Sequence, residues 1–139
     1  MQWLLFALVS ACAAAATAVL AKIGVRDVPS NVATAVRTLV VVLFAFGIVI
    51  ARGELAAVRT LQPRTLAYLA LSGIATGVSW LAYFRALQLA PATRVAPLDK
   101  LSLPLTLLFA WLFLGEALSW RLVVGALLMV AGALLTLEA

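Results

Sequence analysis

Asp99 and Lys100 stand side by side in RALQLAPATRVAPLDKLSLPLTLLFAWLFLGE, residues 85–116, a stretch otherwise apolar enough for lipid. A charge at membrane depth costs on the order of 2.5–3.5 kcal/mol even on a lenient insertion scale, so an acid and a base there need a partner or a ligand. Neighbours on a helix point about 100° apart, so the two are expected to seek separate partners on another helix, in water or on a ligand rather than neutralise each other. Pro97 and Pro104 flank the pair. Proline has no N–H, so Pro104 is expected to leave the Lys100 carbonyl open, and Pro97 that of Thr93. Open carbonyls beside ionisable side chains are how interrupted membrane helices build binding sites. The plainer reading is that both prolines kink the helix and Lys100 snorkels to the headgroups.

Other polar residues fall in phase around this pair. Ser72, Thr76, Ser79 and Tyr83 recur on one helical face, while Asp99, Ser102 and Thr106 share another. Arg37 sits about 9 Å inside the second apolar stretch at 1.5 Å per residue, and Asp99 enters its own stretch by a similar distance. Arg37, Tyr83, Asp99 and Lys100 are therefore expected at comparable depth, with Ser79, Ser102 and Thr106 adding hydroxyls and Trp80 or Trp111 an apolar wall. Two cations against one carboxylate leave a net charge of +1, suited to an anionic or zwitterionic substrate. An apolar setting raises a carboxylate pKa and a nearby cation lowers it, so a ligand that displaces the cation from Asp99 gives a route to proton coupling. The competing reading of Arg37 is a snorkelling or ion-paired arginine without substrate contact, and hydroxyl stripes also serve helix packing.

These residues need membrane-spanning elements to hold them. The chain is 66% hydrophobic with mean hydropathy +1.19, against about 45–50% apolar for soluble domains. An integral membrane protein is expected, with the lipid bilayer as its solvent. The net charge of +5 comes from basic residues scattered between apolar blocks, which fits loop charges that set topology better than a nucleic-acid surface. One cysteine and no histidine leave no internal disulfide, no metal cluster and no expected cofactor. No nucleophile–base motif or phosphate loop is present, so an enzyme is not expected. The opening MQWLLFALVSAC has no basic residue before its apolar run and continues uncharged to Ala21, so it reads as a span and not a signal peptide.

Spans of about 20 residues cross a hydrocarbon core of about 30 Å. Five are expected in one domain, residues 1–139: approximately 3–22, 31–51, 65–89, 93–114 and 120–137, all helical, with the two ends on opposite membrane sides. Ser30 or Asn31 is expected to cap the second, and residues 52–63 form the longest polar connection. Gly73 and Gly77 form a GxxxG pair suited to close helix packing.

ALQLAPATRVAPL, the apolar helix ending in LFLGEALS, and VVGALLMVAGALLTL together resemble the EamA repeat of the drug/metabolite transporter superfamily. The resemblance covers the whole chain, including Arg37 near the start of span two, the connection at residues 86–97, the Gly115–Glu116 pair, and Gly125 and Gly132 in the last helix. It implies a multi-pass protein of the bacterial inner membrane that moves a small organic molecule by alternating access. It also implies structural roles for Pro97, Pro104, Gly115, Glu116, Gly125 and Gly132. Larger members carry two such repeats around a central cavity, so a single repeat is expected to find its second half in an antiparallel homodimer or a second EamA-type subunit. With five spans, Arg52, Arg59, Arg64 and Arg121 lie on one side and Lys22, Arg26, Arg85 and Arg94 on the other, a balance that a dual-topology protein needs. The other expectation is a membrane subunit that does not transport but modifies a partner.

Overall fold

The structure is a computed structural model that describes residues 2–137. Among the described residues every regular element is helical: α1 (Gln2–Gly24), α2 (Ser30–Ala51), α3 (Leu55–Arg59), α4 (Pro63–Leu89), α5 (Ala92–Asp99), α6 (Ser102–Phe109), a π-helical segment (Ala110–Leu114) and α7 (Trp120–Leu135). Four stretches are long and apolar enough to cross a membrane, namely α1, α2, α4 and the composite Ala92–Leu114. The expected fifth span is shorter. α7 has 16 residues, about 24 Å at 1.5 Å per residue and below a hydrocarbon core of about 30 Å. The polar connection also carries more structure than expected, since α3 forms within it after Gly53 at φ 69°.

Most large apolar side chains face outwards, Phe44 at 71% and Phe113 at 79% exposure among them. That is the distribution lipid favours: each helix satisfies its own backbone and gives its apolar side chains to the bilayer.

The chain divides into two compact units, one of Met1–Val19 with Leu89–Ala139 and the other of Leu20–Gln88. In the Leu20–Gln88 unit the buried residues are Val25, Thr34, Phe84 and Leu87. The last turn of α4 is clasped there. Lys22 Nζ donates to the Leu87 carbonyl, while Gln88 Nε2 donates to the carbonyls of Val25 at 3.1 Å and Val28 at 2.7 Å. Both contacts meet demands of chain ends: a helix C-terminus leaves carbonyls without partners and attracts a cation, and a turn in a low-dielectric setting needs donors for its own carbonyls. α2 starts at Ser30 with Pro29 at the cap position and no side-chain cap. The expected Ser30 or Asn31 cap is absent because the Ser30 carbonyl is already turned into the helix, where it accepts the Thr34 hydroxyl at 2.8 Å.

In the other unit α7 lies against α5 and α6, Val95 and Ala133 are buried, and the Ser119 hydroxyl caps α7 by accepting from the Leu122 N–H at 3.3 Å. The stretch expected as one kinked helix is interrupted. α5 ends at Asp99, and α6 begins at Ser102 with Pro104 in its first turn, where a missing N–H removes nothing. The Lys100 carbonyl is not left open, as it accepts the Leu103 N–H at 3.0 Å. Tight i→i+3 bonds from Lys100 N–H to Pro97 and from Leu101 N–H to Leu98, at 3.1 and 3.0 Å, close the interruption from the other side.

Gly115 ends the π-helical segment at φ 68°, and the Glu116 N–H returns to the Ala110 carbonyl at 3.3 Å. The Gly115–Glu116 pair therefore stops a helix: glycine adopts the left-handed turn and the next amide recovers an end carbonyl. The packing role expected for Gly73, Gly77, Gly125 and Gly132 is not realised within the chain. A Cβ at any of them would meet nothing within 4 Å.

These geometries predict opposite signs for two glycine substitutions. Gly115→Ala forces a side chain into the left-handed region and lowers stability by about 1–2 kcal/mol. Gly47→Ala in the middle of α2, where a Cβ meets nothing, raises it by about 0.5–1 kcal/mol. Thermal unfolding of the two purified variants in mild detergent checks both signs.

Candidate functional site

On α2, Thr34, Arg37 and Thr38 follow one another at i, i+3 and i+4, so they share a face. Thr34 is buried on it. On α4 the same spacing aligns Trp80, Tyr83 and Phe84. The Arg37 guanidinium lies over two of these rings, its Cζ 4.1 Å from the Trp80 ring centroid and 5.4 Å from that of Phe84. Tyr83 continues the aromatic surface, with its ring centroid 6.4 Å from that of Phe84 and the planes tilted by 43°.

A guanidinium suits this seat because it is planar and weakly hydrated, and the negative face of an indole attracts it, by about 2 kcal/mol once water is removed. The ion-paired reading of Arg37 does not describe the result. Among the described residues no carboxylate pairs with it, the one ion pair being Lys100–Asp99.

Asp99 and Lys100 correct a second expectation. Lys100 Nζ lies 3.3 Å from Asp99 Oδ2, although adjacent helical positions diverge. The two positions still diverge at the backbone, since Lys100 and Leu101 keep right-handed helical dihedrals, but the long flexible lysine stem folds back onto its neighbour. The pair is partly exposed, the two side chains being 55% and 36% accessible. A pair of that kind contributes between nothing and about 1 kcal/mol and exchanges readily.

The hydroxyl stripes also differ from a row of free donors. Thr34, Thr38, Thr76 and Thr106 each donate to the carbonyl four residues earlier, at 2.8, 2.8, 2.9 and 2.8 Å. This back-bonding consumes the proton within the helix and leaves only oxygen lone pairs to offer. A ligand meeting these threonines meets acceptors.

Of the residues singled out in the sequence, Arg37, Trp80 and Tyr83 come together in the Leu20–Gln88 unit, and Ser79 is exposed beside them on α4. Asp99, Lys100, Ser102 and Thr106 belong to the other unit, at the interruption between α5 and α6 and just beyond it. Three contributors were missed. Phe84 had a signal in the WxxxF spacing of residues 80–84. Lys22 and Gln88 had none, since both act by capturing carbonyls distant in sequence.

A double-mutant cycle tests the stack. Arg37→Ala and Trp80→Ala each destabilise the protein, and the pair together costs less than the sum by about 1–2 kcal/mol, the coupling of a desolvated cation–π contact. Arg59→Ala in the polar connection stays within about 0.5 kcal/mol. Thermal unfolding in detergent measures all four.

The EamA-like transporter family matches residues 1–138. A protein of Sinorhizobium sp named "Uncharacterized transporter in cobO 3'region" is 50% identical over 134 residues, which are 96% of this chain and 95% of the relative. No solved structure matches the chain. The family and the relative are named for transport, not for catalysis. With the match running through all four lipid-grade helical stretches and α7, the chain is an integral membrane protein and belongs to the EamA-like transporter family.

Proposed function

We propose that the protein is a secondary transporter subunit that moves a small organic molecule across the bilayer by alternating access, working as an antiparallel homodimer. The observation that carries this reading is Arg37, a charge inside an apolar span held on aromatic rings in place of a counter-ion. A structural arginine is neutralised where it sits, whereas one kept charged on an apolar support can attract a substrate. The Asp99–Lys100 pair supports the coupling half of the proposal. It sits at a helix interruption, is partly exposed, and its carboxylate gains or loses a cation at little cost, so a proton or ligand can compete for it.

The relative's printed name supports transport, and its nearly equal length supports a single repeat as the working chain. Two single repeats in opposite orientations would supply the inverted halves from which many carriers form a midplane site. The balanced loop arginines and lysines favour neither orientation.

Flux in proteoliposomes tests the transport reading. Uptake of a substrate found by thermal-shift screening is expected to depend on pH in the unmodified protein and to lose that dependence in Asp99→Asn, with uptake itself retained. Full pH-dependent flux in Asp99→Asn removes the carboxylate from coupling, and no flux of any stabilising ligand favours a subunit that modifies a partner.

Cysteine labelling from either side of intact cells tests the dimer. Cysteines placed singly at Ala56 and at Asp27 in a Cys12→Ser background are each expected to react with an impermeant reagent in about half of the molecules, as dual topology requires. One fixed orientation, together with a monomer in mild detergent, overturns the homodimer.

A further inference from the structure

The Arg37 guanidinium rests on the Trp80 ring and approaches Phe84, yet among the described residues it takes part in no hydrogen bond and no ion pair. Its nitrogens are not sealed in either, since no buried side-chain nitrogen or oxygen lacks a partner. Stacking uses the face of the group and leaves its five N–H donors in the plane, directed past the ring. Arg37 is half-buried within an apolar span, where leaving those donors unmet is costly. Thr34 and Thr38 on the same face of α2 donate to their own helix carbonyls and make no hydrogen bond to the guanidinium, so its in-plane donors stay available to an acceptor from outside the chain.

The chemistry of that acceptor follows from the seat. A planar, permanently charged fork matches two oxygens of a carboxylate or phosphate better than one. The half-buried rings of Trp80 and Tyr83 beside it favour an apolar body next to the charged head. We infer that Arg37 and Trp80 form a receptor for an organic anion, a carboxylate or phosphate head carried on an apolar body. Its role as the substrate site rests on the transport reading above, but the receptor itself does not. The same head chemistry is available from a dissolved metabolite or from a phospholipid headgroup.

The test uses full-length protein with Trp3→Phe, Trp111→Phe and Trp120→Phe, which leaves Trp80 as the single tryptophan, in nanodiscs of phosphatidylcholine. Benzoate and phenyl phosphate are expected to change Trp80 emission saturably, while benzylamine, a similar apolar body with the opposite charge, leaves it unchanged. Arg37→Lys keeps the charge without the fork and weakens the response by about tenfold or more, and Arg59→Ala does not weaken it. If Arg37→Lys fails to fold, the contrast between benzoate and benzylamine in the parent still decides. A response to benzylamine equal to that of benzoate, or no saturable response to either anion, overturns the receptor. Replacing phosphatidylcholine with phosphatidylglycerol separates the sources. Trp80 emission already shifted, with benzoate no longer effective, assigns the site to the lipid headgroup and overturns the dissolved ligand. An undiminished benzoate response assigns it to the dissolved anion. Binding without flux overturns the transport reading alone, and flux of another solute without binding of either anion overturns the receptor alone.

Discussion

Lipid offers no hydrogen bonds, so every polar group carried into it must be matched by the protein or by what the protein binds. The details of this chain follow from that constraint. Threonine protons turn back to carbonyls of their own helices. The Leu103 amide takes up the carbonyl that Pro104 would have left open. Lys22 and Gln88 reach across sixty or more residues of sequence to cover the carbonyls of Leu87, Val25 and Val28. After this accounting the Arg37 guanidinium still has donors to offer.

How a buried cation is held decides what it can do. Pairing with a carboxylate would satisfy both charge and donors, and little attraction would remain for a ligand. Stacking on Trp80 and Phe84 offsets part of the desolvation cost through the ring quadrupole, yet leaves the positive charge and the N–H edge in place. The Asp99–Lys100 pair is the opposite arrangement, with charges matched locally but accessible and weakly held. One unit thus carries a fixed cation and the other an exchangeable ion pair. These are different chemical capacities.

Helix interruptions give the second of these its setting. Pro97 and Pro104 bracket Lys100 and Leu101, where i→i+3 bonds replace the regular ladder, and Gly115 stops the same stretch with a left-handed residue. The break keeps its backbone satisfied, so what it presents beside Asp99 and Lys100 is their side chains and not a bare Lys100 carbonyl.

Membrane class and four of the five expected spans were readable from the sequence, because hydropathy is a local property that lipid selects strongly. The span boundaries at residues 3–22, 31–51 and 65–89 fall within two residues of α1, α2 and α4. Residue types also marked Arg37, Trp80 and Tyr83, since a charge or large ring in a polar phase is conspicuous in an apolar background. The sequence did not determine who partners whom. Whether Arg37 meets a carboxylate or a ring depends on the register of α2 against α4, and helix periodicity carries no information about register. Asp99 and Lys100 were misread for a related reason: the 100° rule fixes only where adjacent side chains leave the helix, and which partner so long a lysine stem folds onto is decided by the tertiary structure.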